Sequence, residues 1–290
     1  MKKLTIILLC LLLLCGCATP AVYDGPTQSA WVLTEQVTTY YSDYDEIGIP
    51  SRTTYAYDTF GNRVRSLTWQ DSELSSERKY TYDDRGNVTS IVVWDHSSWF
   101  PWPDSRTGYT YDDQNRPTAT IYRNFLGLER RRDTYTYDDE ARTVLWEGRY
   151  DTQTTWLNEN GDPLRTLTYS EPTGIYMETV YEYDDPGRNT KIISYYDNAL
   201  SSTAALVYDD QGRLLTETFS GADGAVYHHT TYHHAENTII TYELDGGKTV
   251  ETYRPDGQVE KMEQFNKQGE RTMLTEYTYQ QIRIPANREE

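Results

Sequence analysis

Carboxylates recur in pairs along this chain. Tyr-x-Tyr-Asp-Asp stands at Tyr80 to Asp84, Tyr109 to Asp113, Tyr135 to Asp139 and Tyr181 to Asp185. Glycoside hydrolysis uses two carboxyls, but they must face each other across one sugar, about 5 to 10 Å apart, with one held protonated. Adjacent aspartates repeated in copy after copy suit turn chemistry better, and no catalytic residue is assigned. Clustered carboxylates and carbonyls also suit Ca²⁺ at these acidic turns, although no Asp-x-Asp-x-Asp-Gly loop is present. No other cofactor is implied. His228-His229 and His233-His234 are four of the five histidines. On one strand His229 and His233 stand about 13 Å apart, too far to share an ion. His233-His234 also falls where other copies carry Tyr-Asp, so drift within a repeat accounts for it and no metal ligand is assigned.

Contact chemistry concentrates in the longest insertion between copies, Trp94 to Pro103 (WDHSSWFPWP). Trp99, Phe100 and Trp102 on a proline-stiffened turn can stack on a sugar or anchor a protein partner. The alternative is that these rings fold back onto a sheet face. All seven tryptophans lie at or before Trp156, which places an aromatic binding face in the first half of the chain.

The elements that must position these residues are short strands. In Arg78 to Tyr82 the two tyrosines are two residues apart and share one face of a strand. Asp83 then fits the first position of a type I turn, its carboxylate accepting downstream N–H groups, and Gly86 supplies the positive φ that closes the hairpin with a bulge. Equivalent pairs are Asp58 with Gly61, Asp112 with Asn115, Asp184 with Gly187, and Asp209 with Gly212. Ala141 is a poorer fit and predicts a looser turn. Pro186 is disfavoured third in a type I turn, so a type II turn with Pro186 and Gly187 at its centre is expected there. Successive copies of the leading Asp, from Asp58 to Asp209, lie 25, 29, 26, 46 and 25 residues apart. The long gap holds a weaker copy at Asn158 to Gly161, and worn copies continue at Arg254 to Gly257 and Asn266 to Gly269. Some nine units of two strands each give roughly eighteen strands and almost no helix. A sheet that wide must curl under its own twist. The expected fold is therefore all-β: tandem antiparallel β-hairpin repeats forming one elongated, curled or spiral sheet over residues 30–290.

The composition fits this. There are 27 Tyr against 5 Phe, and tyrosine suits a half-buried pleated surface better than a dry core. The formal charge is −18, near −20 once Lys2 and Lys3 are removed, which excludes nucleic acid as a partner.

Those two lysines open a leader. Leu4 to Leu14 is an apolar run too short to span a bilayer as a helix. Leu14-Cys15-Gly16-Cys17 after it resembles the lipobox of bacterial lipoproteins. The resemblance implies removal of residues 1–16 and acylation of Cys17 with diacylglyceryl and fatty-acid (palmitate-type) chains. It also implies a cell-envelope location outside the cytoplasm, on a bacterial membrane, and residues 17–29, rich in Pro, Gly, Thr and Ser after Cys17, have the composition of a flexible tether. Cys10 and Cys15 leave with the leader, so no disulfide is available.

The motif Tyr-x-Tyr-Asp-x-x-Gly-Arg/Asn resembles the YD repeat of Rhs-like bacterial surface and toxin-delivery proteins, over about Thr53 to Gly269. The last two copies drift toward MORN-like repeats. In that family long arrays wind into a hollow shell, and only the spiral β architecture is carried over here. The expectation is a non-enzymatic, membrane-anchored scaffold that binds polysaccharide or protein. The rivals are an envelope hydrolase with acidic residues on the concave sheet face, and an immunity-like partner of a separate Rhs toxin.

Overall fold

The computed structural model describes residues 28–41, 50–96, 103–185 and 187–284. Twenty strands follow one another. The first ten are β1 (Gln28–Tyr40), β2 (Pro50–Tyr57), β3 (Arg63–Gln70), β4 (Glu73–Tyr82), β5 (Val88–Asp95), β6 (Ser105–Tyr111), β7 (Pro117–Arg123), β8 (Glu129–Asp138), β9 (Thr143–Glu147) and β10 (Asp151–Leu157). The rest are β11 (Pro163–Ser170), β12 (Ile175–Tyr183), β13 (Asn189–Tyr196), β14 (Ala199–Tyr208), β15 (Leu214–Gly221), β16 (Val226–Ala235), β17 (Thr238–Glu243), β18 (Lys248–Tyr253), β19 (Val259–Phe265) and β20 (Arg271–Ile284).

Each strand pairs antiparallel with the next, and β20 returns to pair with β1 along twelve residue positions, from Gln28↔Ile284 to Tyr40↔Met273. The sheet is thus a closed twenty-stranded up-and-down barrel, not the open curled or spiral sheet expected from the repeats. Twist does curl the wide sheet, but the two terminal strands meet in register. Closure then satisfies two rows of backbone groups that a spiral would leave as edges. Among the described residues every pairing, including the closing one, lies within residues 28–284.

Following the registers once round the ring moves the position on β1 by about 20 residues, as many as there are strands. That drift corresponds to strands tilted by about 35°, on a backbone ring roughly 36 Å across. Barrel strands coil in the right-handed sense, so the direction of the drift also fixes which face looks inward. It is the face that carries the motif tyrosines.

The turns explain why the repeats form hairpins. Asp83 donates its N–H to Asn87 O at 2.9 Å, and Gly86 donates to Asp83 O at 3.1 Å, with Gly86 at φ 89°. The Asp83 carboxylate accepts the N–H groups of Arg85 and Asn87 at 3.0 and 2.8 Å. Asp58 with Gly61, Asp112 with Asn115 (φ 62°) and Asp209 with Gly212 repeat this backbone frame. These contacts hold the Asp83, Asp184 and Asp209 carboxyls below the usual aspartate range, the leading causes being bonds from Asn87, Arg188 and Arg213 respectively, set against some desolvation. At Asp112 desolvation is the largest single cause and acts upward, and the bonds from Arg116 and Gln114 together outweigh it.

Two turns differ from expectation. Gly187 N–H donates to Asp184 O at 2.8 Å and Asp184 N–H to Arg188 O at 3.0 Å, so this copy keeps the common frame. The expected shift to a turn centred on residues 186 and 187 does not occur, because Arg188 grips the Asp184 carboxylate through its backbone N–H and its guanidinium; Pro186 lies outside the described residues. In the Ala141 copy, Asp138 pairs directly with Thr143 without a bulge, and the left-handed residue is Arg142, at φ 51°. Replacing Gly86 by Val is therefore expected to cost about 1 kcal/mol or more, because a β-branched residue resists positive φ. Val at Ala141 is expected to cost roughly 0.5 kcal/mol or less. Urea melts of both variants check this, and equal costs would contradict the turn assignment.

Candidate functional site

The second tyrosine of each motif has a job that spacing alone did not reveal. Its hydroxyl donates to a carbonyl of the preceding copy: Tyr82 to Arg63 O at 2.7 Å, Tyr111 to Val88 O at 2.9 Å, Tyr137 to Pro117 O at 2.9 Å, Tyr183 to Pro163 O at 2.8 Å. Tyr57, Tyr208 and Tyr279 bind Leu33 O, Asn189 O and Val259 O in the same way. Except for Leu33, each acceptor opens the strand after a turn, where the bulge displaces the ladder and leaves a carbonyl in need of a donor. His234 holds this position in β16, with Nε2 2.7 Å from Leu214 O. The frame is Tyr232-His233-His234 against Tyr-x-Tyr, so the histidine pair does not replace Tyr-Asp as the sequence suggested. His228 and His234 lie on one face of β16, and His229 and His233 on the other. Among the described residues no group of three His, Cys, Asp or Glu side chains converges to hold a metal.

The inward wall has a ring of tyrosines toward the rim that carries the Asp turns, and a belt of hydroxyls behind it. Thr38 Oγ1 meets Thr275 Oγ1 at 3.0 Å, Thr53 meets Thr68 at 3.1 Å, and Thr168 donates to Gln153 Oε1 at 3.3 Å. Thr275 and Thr230 are 1% and 2% exposed, so the wall buries hydroxyl groups where a globular core would bury leucines. Two charged patches interrupt it. Arg131 grips the buried Asp133 with two bonds, at 2.6 and 2.8 Å. Across β15 to β18, Glu217, Glu243 and Glu251 share the wall with Tyr232, Tyr253 and His228. Burial first, and then Glu217, push the Tyr232 hydroxyl up to about 12. Burial first, and then its 2.6 Å bond to Glu251, push Tyr253 up further. Thr230 donates to Glu243 Oε2 at 3.3 Å, and His228 Nε2 lies 3.8 Å from the same oxygen. Each of these carboxylates thus has a hydroxyl of a neighbouring residue on it.

Burial also raises Tyr55, Tyr57, Tyr82, Tyr109, Tyr111, Tyr122, Tyr137, Tyr181, Tyr183, Tyr277 and Tyr279. The described chain is all wall, and inward side chains leave a bore of about 20 Å.

The outward face is charged at mid-strand. Arg65 donates to Glu77 at 2.7 Å with Lys79 at 3.3 Å, Lys191 pairs with Glu182 at 3.2 Å, and Lys261 pairs with Glu263 at 2.9 Å. Lys79 also lies 4.6 Å over the Trp94 ring. A barrel that spans a bilayer carries an apolar band on this face; on the described strands these ion pairs stand there instead.

Of the sites marked in the sequence, the turn residues line one rim, where they hold hairpins. The β5–β6 connection that carries the aromatic insertion leaves the opposite rim. Trp99, Phe100 and Trp102, like Cys17, lie outside the described residues. The inward carboxylates and the hydroxyl belt were missed. The signal available was a Thr two residues before the first ring in several copies, Thr53, Thr107, Thr179, Thr230 and Thr275, which shares the face of the rings.

No protein-family model matches the sequence, and no curated protein does. Among solved structures the chain is similar to TcdB2-TccC3, at 11% identity and a TM-score of 0.31, over 83% of this chain and 17% of that one. It is similar to the Photorhabdus luminescens Tc holotoxin pore, at 11% identity and a TM-score of 0.28, over 83% of this chain and 16% of that one. It is also similar to a porin-like protein from Bacteroides uniformis, at 11% identity and a TM-score of 0.41, over 86% of this chain and 96% of that one. The chain therefore spans about a sixth of each toxin chain that it matches and nearly all of the porin-like one.

Proposed function

We propose that this protein is a non-enzymatic binding module of the bacterial cell envelope, a YD-repeat, Rhs-like lipoprotein held to a membrane by acyl chains on Cys17, and that it binds a polysaccharide strand in its bore. The observation that carries the reading is the closure of the sheet, which turns the tyrosine face inward and backs it with a belt of hydroxyls. Aromatic rings with a wet edge stack on sugars, and hydroxyls exchange bonds with them without the cost of burying charge. The charged outward face supports a water-exposed ring beside the membrane. The lipobox supports the anchor.

The test compares oligosaccharide binding to the purified full chain and to two double variants, Tyr80→Ala with Tyr109→Ala, and Trp99→Ala with Trp102→Ala. The first pair is expected to weaken binding at least tenfold, and Phe at both positions to restore most of it. Loss in the tryptophan pair alone, with an unchanged melting temperature, would move the site to the insertion. New reducing ends that vanish with Glu217→Gln or Glu243→Gln would replace the reading by a hydrolase.

A further inference from the structure

Beyond Lys2 and Lys3 the chain has five lysines. Lys79, Lys191 and Lys261 each lie within 3.3 Å of a glutamate on the outward face. The other two, Lys248 and Lys267, have no carboxylate within ion-pair distance among the described residues. Both line one open cleft of about 510 Å³, between the β17–β18 and β19–β20 hairpins, on the rim opposite the Asp turns.

We propose that this cleft binds a carboxylate-bearing sugar unit, which deepens the polysaccharide reading above and rests on it. In a chain of net charge −18 the general field repels anions, so an anionic ligand needs local cations that internal pairing has not used up. Lys248 Nζ is held 4.8 Å over the Phe265 ring, an aromatic contact that orders it and leaves its charge available. The two carboxylates in the lining lie beyond ion-pair distance of both lysines, and each accepts a hydrogen bond. Asp245 Oδ1 accepts Gly247 N–H at 2.9 Å, and Glu243 Oε2 accepts the Thr230 hydroxyl at 3.3 Å. Two glycines keep the hairpin tips close. A Cβ on Gly246, at φ +90°, would meet Lys267 Cβ at 3.2 Å, and one on Gly247 would meet Phe265 O at 3.3 Å. The Gln268 amide in the same lining offers hydrogen bonds to ring hydroxyls. The volume falls in the range of small-ligand sites.

The experiment is calorimetric titration of the full chain with tri-galacturonate, with its methyl ester and with inorganic phosphate, repeated on Lys248→Met with Lys267→Met. The acid is expected to bind, to weaken with salt, and to lose at least tenfold in affinity both on esterification and in the lysine variant. Equal binding of acid and ester, indifference to the lysine change, or phosphate binding as tightly as the acid would each overturn the proposal. Acid binding that survives Tyr80→Ala with Tyr109→Ala, while neutral oligosaccharides bind nowhere, would uphold the cleft and reject the bore.

Discussion

A chain that begins at Pro50, and so lacks β1, is expected not to fold to a soluble monomer. β1 makes two of the twenty pairings, five residue positions with β2 and twelve with β20. Its removal also leaves Thr275, the most deeply buried side chain described, without its Thr38 partner. The larger consequence is topological. The ring opens, and β2 and the fourteen-residue β20 become bare edges, each a template for another copy. Light scattering is expected to show large assemblies, and circular dichroism to lose its cooperative melt while retaining β signal. A monomer that melts like the full chain would show that an open sheet is stable and that closure adds nothing. A variant that keeps length but breaks the seam, Val37→Pro, is expected to fall in between, since it removes one ladder donor at the middle of the strand.

Alkali is expected to unfold the barrel above about pH 10, in a transition coupled to tyrosine ionisation. Thirteen tyrosines have hydroxyls raised above their ordinary value, with burial the largest cause in each. A raised phenol means that the folded state holds its proton more tightly than the unfolded chain does. The resulting stability is fully present below the unfolded value of about 10 and is lost as pH rises through the folded values. Deprotonation also removes the donor from each tyrosine bond to the preceding copy, so it disconnects neighbouring hairpins around the ring. Absorbance at 295 nm and far-ultraviolet dichroism are expected to change together, late and steeply. Independent titration of the tyrosines near pH 10, with the β signal intact, would contradict a buried tyrosine wall.

Much of the local structure was legible in the sequence. Tyr-x-Tyr placed two rings on one face, Asp and Gly three apart defined the hairpin, and the absence of a helical period left only strands. These are properties of a few consecutive residues, set by φ preferences and by short side chains reaching nearby N–H groups. The frame at Pro186 was misread because the grip of Arg188 on Asp184 outweighs the local preference of proline. Ala141 was rightly a poor fit for the left-handed position, which Arg142 takes up one residue later, at φ 51°.

What the sequence by itself determined is the repeating hairpin, its polar turns, and a tyrosine-bearing face that must be kept from standing fully in water. What only the tertiary structure decided is that the sheet closes, that the tyrosine face looks inward, and that Lys248 and Lys267 meet at one cleft. Closure joins Thr38 to Thr275, 237 residues apart, and depends on a register drift accumulated in small steps over twenty pairings. No single repeat encodes that sum: the same hairpin, slightly less twisted or offset, would continue as the spiral that the repeats suggested.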